Sequence, residues 1–294
     1  MLVSIVNELV ECQQPPGKHH KNRAVLALRE VGEYGLATLI DDCRRGKTCG
    51  SLYCPDCRHR FAKEAQIRML DHIEGRIEKH GPDVEKELRY LTVLLDVVYP
   101  SDVARSVGEA RKQLKAFNRA FPSVWMQGMF EFEFINLRLL FGQQGKSRKR
   151  DVIKSMLQWD EYGTGSLNAD DVRLFPDDMV LVHFHCLVDL NGCSDTDVRE
   201  WWAKKNPGPY RVELKKTHEG QELDEKCWKI ASYPLKSRVR YNCEMETKGY
   251  CKGAYMTDNS LAKLVKLYSS FTENKSHNLG IKRLLISKAG KKMP

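Results

Sequence analysis

The sequence predicts an α+β protein with a small metal-binding module near its start. Three observations point there. Residues 180–189, Val-Leu-Val-His-Phe-His-Cys-Leu-Val-Asp, are apolar and rich in β-branched side chains. Pro176 precedes them and Asn191-Gly192 follows, so the run reads as a buried strand. Residues 61–80 place Phe61, Ala65, Met69, Ile73 and Ile77 at four-residue spacing, a helix that Gly81-Pro82 ends. Cys43, Cys49, Cys54 and Cys57 crowd into one short stretch between strand-like and helical segments.

The cysteine cluster contains a Cys-x-x-Cys knuckle, Cys54-Pro55-Asp56-Cys57, in which two thiolates can bind one ion from a single tight turn. Four thiolates satisfy tetrahedral Zn²⁺, and such sites contribute roughly 10 kcal/mol or more of coupled binding and folding. Cys43 and Cys49 do not form a second close pair, which leaves Cys12 and His59 as alternative ligands. Before the cluster, Pro15-Pro16-Gly17 marks a turn, Lys18-His19-His20-Lys21 is basic, and residues 25–40 fit a short helix or a strand pair.

After the first helix, residues 88–99 form an apolar run with Thr92 inside it, the pattern of a central strand. Ser101 caps a helix whose apolar face includes Val107, Leu114 and Phe117. Residues 124–135 alternate strictly, with Phe130, Phe132 and Phe134 on one face and Glu131 and Glu133 on the other. Residues 142–178 read as an insertion with a basic start, Lys146-Ser147-Arg148-Lys149-Arg150, and a helix near 154–159. Asp195 then caps a helix through Trp201, Trp202 and Lys205, residues 210–214 alternate as a strand, and residues 222–237 are helical. Residues 241–255 are turn-rich and hold Cys243 and Cys251, whose spacing does not suit a knuckle. Residues 259–271 carry Leu261, Leu264, Val265 and Tyr268 on one helical stripe.

The 294 residues suffice for one large core or two smaller domains. No apolar run reaches the length of a membrane span, and residues 1–11 lack a basic leader and a clean cleavage site, so a cytoplasmic protein is expected. Ten cysteines without a secretory signal favour reduced thiols and metal over disulfides. The net charge of +9 is concentrated after residue 233, where thirteen Lys and Arg face four Asp and Glu. A neutral body with a basic end suggests a polyanionic partner; the plainer reading is a solubilising tail. No Gly-rich phosphate loop of the Walker type is present, so no built-in helicase motor is expected.

The histidines of the buried run are candidate ligands. At positions i and i+2 of a strand, His183 and His185 share one face while Phe184 takes the other. Two parallel imidazoles can bind a divalent ion, or can be polar residues on a solvated face. A carboxylate from a neighbouring antiparallel strand would complete the set; Glu131 and Glu133 share a face, and the sequence does not choose between them. In Tyr233-Pro234-Leu235-Lys236 a phenol and an ammonium stand three apart, on one side of a helix if the helix continues.

The order Cys-Pro-x-Cys, Leu-Thr-Val, a Glu strand, His-Phe-His-x-Leu-Val, a Trp-bearing helix and Tyr-x-x-Lys resembles the rolling-circle replication initiator (Rep) proteins of plasmids and phages. These belong to the His-hydrophobic-His (HUH) endonuclease superfamily. The resemblance covers about residues 43–236. It implies a ferredoxin- or RRM-like fold with a central antiparallel sheet, histidines on an inner strand and a tyrosine on a neighbouring helix. Carried over, His183 and His185 hold Mg²⁺ or Mn²⁺ with Glu131 or Glu133, Tyr233 is the nucleophile and Lys236 its phosphate partner. Pro234 directly after the tyrosine departs from the pattern and keeps Tyr241 as a second candidate. The implied activity is nicking of single-stranded or hairpin origin DNA through a 5′-phosphotyrosine link with a free 3′-OH, followed by rejoining, alongside a host helicase and polymerase. An HUH transposase or relaxase and a non-catalytic zinc-containing DNA-binding regulator are the alternatives. The expected blocks are residues 1–82 with the zinc module and helix, 83–245 as the endonuclease core, and 246–294 as a basic helical segment.

Overall fold

The structure, a computed structural model, describes residues 18–44, 48–141, 148–157, 178–217, 220, 222–232, 235, 239, 241, 255–272 and 285–288. In chain order its elements are α1 (Lys18–Glu30), α2 (Tyr34–Asp41), α3 (Pro55–His80), β1 (Leu88–Val98), α4 (Val103–Ala120), β2 (Trp125–Ile135), α5 (Leu137–Phe141), α6 (Arg148–Met156), β3 (Met179–Asp189), α7 (Asp195–Lys205), β4 (Val212–Lys216), α8 (Leu223–Ser232), α9 (Asp258–Thr272) and β5 (Leu285–Lys288). The chain divides into two compact units. One takes Met1–Phe61, Leu235–Arg240 and Tyr255–Arg283; the other takes Ala62–Pro234, Tyr241–Ala254 and Leu284–Pro294.

In the first unit residues 25–40 are helical on both sides of a turn at Val31-Gly32, where Gly32 adopts φ 80° and Glu33 N–H donates to Leu28 O at 2.8 Å. A left-handed glycine here ends α1 in the usual way. α1 packs on α9, burying Ala24, Leu28, Leu261, Leu264 and Val265. Arg23 pairs with Asp258 at 3.6 Å, and Lys266 pairs with Glu33. Residues 246–294 are therefore not one C-terminal segment: α9 closes the first unit and β5 joins the sheet of the second.

The second unit is built on a five-stranded sheet of order β4-β1-β3-β2-β5, antiparallel throughout. β1 and β2 run parallel on either side of β3 and are joined through α4; β3 and β4 flank β1 and are joined through α7. These are two interleaved split β-α-β units. β3 is buried along almost its whole length, which is why its sequence is nearly all apolar. β2 is buried at every position, so its alternation of Phe and Glu separates two buried faces rather than a buried and a wet one.

On one face Phe130, Phe184, Phe117 and Trp202 form an aromatic layer under α4 and α7, with Phe184 and Phe117 each 5.2 Å from Trp202 between centroids. On the other face two apolar clusters lie apart along the strands. One joins Met69 and Ile73 of α3 and Cys227 and Ile230 of α8 to Leu88, Trp125 and Leu187. The other joins Leu137 and Leu140 of α5 and Ile153 of α6 to Val97, Ile135, Met179 and Leu181. The region between them carries the candidate ligands.

β1 slips register on β3 between Leu94 and Asp96, where Leu94 pairs His183 but Asp96 pairs Val182. The extra residue is a β-bulge, so Thr92 and Val97, of opposite parity, reach the same face. Arg211 holds the bulge: its N–H groups donate to Leu94 O at 3.2 Å and to Leu95 O. Two helix starts differ from expectation. α4 follows a short 3-10 turn at Pro100–Asp102, and Ser194, not Asp195, caps α7, accepting from Thr196 N–H at 3.1 Å. The serine side chain leaves Asp195 free for the first turn, where its carboxylate meets Arg89 at 2.8 Å.

Gly128 lies where β2 crosses β3, opposite Cys186. A Cβ there would overlap His185 O and stand 2.6 Å from Cys186 Cα, both backbone atoms that cannot move aside. Gly128→Ala is expected to destabilise the fold by about 2–3 kcal/mol or more, read as a lower midpoint in chemical denaturation.

Candidate metal centres

Cys43, Cys49, Cys54 and Cys57 come together as free thiols, with Cys54 and Cys57 buried and the other two half-buried. Cys54 N–H donates to Ser51 O at 3.2 Å and Arg58 N–H to Cys54 O at 2.9 Å, so the knuckle turns directly into the first turn of α3. Cys43 Sγ lies 3.6 Å and Cys49 Sγ 3.7 Å from Cys57 Sγ. Thiolates bonded at about 2.3 Å to a tetrahedral ion stand about 3.8 Å apart, so the sulfurs already mark its corners. Backbone N–H groups of Cys49 and Ser51 point at Cys43 Sγ and Cys49 Sγ, at 3.3 and 3.4 Å, which supports negative charge on sulfur.

Charge within the cluster is contested. The hydrogen bond with Cys49, then that with Cys57, holds the Cys54 thiol far below its ordinary value, while the bonds to Cys54 and Cys57 push Cys49 far above. Bound to a divalent cation, all four sulfurs can be thiolates at once. This cluster can hold a metal ion. Cys43 stands among the four; Cys12 lies outside the described residues.

The second centre sits on the sheet face between the two apolar clusters. His183 and His185 project from β3 towards β2, where Glu131 pairs with His183 and Met129 with His185. Both Nε2 atoms approach Glu131 Oε2, at 3.1 Å and 3.2 Å, with the imidazoles 4.9 Å apart and nearly perpendicular. Neighbouring ligands of an octahedral ion with bonds of about 2.1 Å stand about 3.0 Å apart, and those of a tetrahedral ion with the same bonds about 3.4 Å. The observed spacing falls between, so one carboxylate oxygen and two imidazole nitrogens can hold one divalent ion. Glu131 is 1% exposed and His183 4%.

Sequence left Glu131 and Glu133 equivalent; the structure separates them. Glu133 pairs with Leu181, one row further along, and its carboxylate is taken by Lys149 from the first turn of α6. Ile153, one turn later, packs into the apolar cluster over Leu181, so α6 is anchored and Lys149 is delivered to Glu133. The basic start of the insertion thus serves partly as a counter-charge inside the fold.

Two residues of β1 also lie on this face. Thr92 on β1 pairs with His185, and its Oγ1 lies 2.9 Å from His185 Nδ1. Tyr90, two residues earlier, lies opposite Leu187 with Lys229 5.3 Å over its ring. Burial pushes the Tyr90 phenol up to about 12, so it is a poor nucleophile at neutral pH. Both are legible only as strand residues because their partners come from other parts of the chain.

The tyrosine candidates fare differently. Tyr233 and Lys236 lie outside the described residues. Tyr241 is buried, and its phenol donates to Asp178 Oδ1 at 2.9 Å. Asp178 precedes His183 by five residues, about 16 Å along an extended chain, so the Tyr241 phenol is held beside the start of β3. Within 222–237 the described helix is α8, which ends at Ser232 and packs against β3 and β2 through Cys227 and Ile230 on the histidine face. Among the described residues no helix is long and apolar enough to cross a membrane.

No family model matches the chain, and neither a curated protein nor a solved structure matches it.

Two outcomes follow from the geometry. Elemental analysis of the purified chain should find one thiolate-bound metal equivalent, lost in Cys54→Ser with a lower melting temperature. Glu131→Gln should weaken Mn²⁺ binding at least 10-fold in titration calorimetry. Glu133→Gln should leave Mn²⁺ binding close to wild type and lower stability instead, because Lys149 loses its buried counter-charge.

Proposed function

We propose that this chain is a metal-dependent nicking and joining enzyme acting on single-stranded or hairpin DNA, of the rolling-circle replication initiator kind. The observation that carries the reading is the convergence of Glu131, His183 and His185 on one point of an inner strand. It sits in a sheet whose two interleaved split β-α-β units are the ferredoxin-like topology that the HUH resemblance implies. The sequence order supports it further, because α8 packs on the face that bears the histidines and ends at Ser232, the residue before Tyr233 in sequence.

In this reading Glu131, His183 and His185 hold Mg²⁺ or Mn²⁺, and Cys43, Cys49, Cys54 and Cys57 hold structural Zn²⁺. The divalent ion supplies Lewis-acid stabilisation of a phosphate oxygen, worth several kcal/mol. Tyr233 is the nucleophile. Its phenol oxygen forms a bond to phosphorus as the phosphorus–O3′ bond breaks, and the departing 3′-oxygen takes up a proton, while the phenol gives one up. No water is consumed, so the phosphodiester energy is kept in the 5′-phosphotyrosine and the reverse reaction rejoins the strand. Lys236 compensates phosphate charge. Tyr241 is the weaker candidate because its phenol is buried against Asp178. The basic residues after position 233 contact phosphates without reading sequence, and that contribution falls with salt. A host helicase and polymerase would act on the opened duplex and the 3′-OH.

The test is covalent capture. Incubation of the full chain with a pool of single-stranded and hairpin oligonucleotides and Mn²⁺ should give an adduct that survives denaturation. Mass spectrometry should place the nucleotide on Tyr233, and Tyr233→Phe and Glu131→Gln should each abolish the adduct. Metal-independent DNA binding with no adduct under any of these conditions would leave the non-catalytic regulator as the correct reading.

A further inference from the structure

We infer that Thr92 is a positioning residue for the Glu131–His183–His185 centre, whose hydroxyl exchanges donor and acceptor roles so that His185 can present Nε2 to an ion. The inference rests on the proposed metal centre and adds a role for the threonine of the Leu-Thr-Val stretch.

The proton count makes the case. A neutral imidazole carries one N–H, on Nδ1 or on Nε2. For His185 Nε2 to bind a cation beside Glu131 Oε2, the proton must sit on Nδ1. Thr92 Oγ1, 2.9 Å from Nδ1, then accepts it. Without an ion, Nε2 stands 3.2 Å from Glu131 Oε2 with no hydrogen bond between them among the described residues, and with the proton on Nε2 the Thr92 hydroxyl turns to donate to Nδ1. A hydroxyl satisfies both states because it is donor and acceptor at once. A backbone carbonyl would serve only the first state, and valine would serve neither.

Position supports this role. Thr92 is directly opposite His185, and the flanking pairs Leu91–Cys186 and Val93–Phe184 are buried on the other face, which pins the register. As a β-branched residue in a strand, Thr92 has few χ1 states, so its hydroxyl is held rather than searching. The neighbouring ligand is unlike: His183 Nδ1 is buried with no hydrogen-bond partner among the described residues, so nothing there directs its tautomer. The two histidines of the motif are equivalent in sequence and unequal in the fold. His185 is the pre-set ligand.

The experiment uses the full chain and reads Mn²⁺ affinity by electron paramagnetic resonance, together with the ring-nitrogen tautomer of His185 by ¹⁵N NMR with and without Mg²⁺. Thr92→Val, which keeps the shape, should weaken Mn²⁺ binding roughly 10-fold or more. Thr92→Ser, which keeps the hydroxyl, should stay within about 3-fold of wild type on the same reasoning. In the wild type with Mg²⁺ bound, the His185 proton should sit on Nδ1. Wild-type affinity in Thr92→Val, or equal weakening in Thr92→Ser, overturns the role of the hydroxyl while leaving the metal centre standing. Mn²⁺ binding that is unchanged in Glu131→Gln overturns the centre itself, and the inference with it.

Discussion

The two-residue period of a fully buried central strand governs this sheet. β3 has apolar neighbours on both faces, so each of its side chains must be accommodated by a layer of helices. Val180, Val182, Phe184, Cys186 and Val188 are buried on one side without difficulty. Of the residues on the other side, the two imidazoles are costly, because a buried polar group must find a partner there or forfeit its hydration. Thr92 is such a partner for His185 Nδ1, and Glu131 brings its carboxylate to 3.1 and 3.2 Å from the two Nε2 atoms, each supplied from an adjacent strand by register. A slip of one residue in either pairing would send the histidines into the aromatic layer and Phe184 among the polar groups.

Around this polar row the fold is conservative. Apolar clusters close the sheet face at both ends, and two other buried carboxylates nearby have basic partners. Asp189, at the end of β3, receives Arg76 at 2.9 Å and lies 3.4 Å from His72, which stacks on Trp125. Glu133 receives Lys149. Glu131 differs from both in lying 3.1 and 3.2 Å from the Nε2 atoms of two histidines. A stability argument alone would fill these three positions with hydrocarbon, since replacing buried ionic groups by packed apolar ones is often neutral or better. Their presence in mid-sheet breaks a local rule, and such breaks concentrate at functional or strained sites.

Much of the framework could be read from the chain because its signals were local. The apolar run around the histidines, the Phe/Glu alternation and the four-residue stripe from Phe61 to Ile77 each depend on neighbouring residues, and β3, β2 and α3 appear where they were expected. The cysteine cluster was legible for the same reason, since its members are close in sequence. What escaped depends on distant partners. Glu131 and Glu133 have the same local pattern, and only pairing with β3 and the arrival of Lys149 tells them apart. Thr92 and His185 are 93 positions apart. Residues 25–40 carry too short a pattern to fix their type; their helices are settled by packing, α1 on α9 and α2 on α1. β5 is only four residues long and borrows its hydrogen bonds from β2, so no period could announce it.

The bulge in β1 has a consequence for how this chain tolerates change. The strand is in effect two extended segments of opposite phase spliced at Leu95, with Arg211 gripping the splice from a different part of the chain. Removing one residue there would yield an ordinary, unbroken strand of nearly identical hydrophobicity. Yet it would force one half to turn over: either Val97 leaves its apolar company, or Thr92 rotates away from His185. Hydropathy would score such a deletion as harmless, while the ligand geometry would be dismantled. The irregular residue is thus a phase-setting device, and its worth lies in what it aligns several residues away.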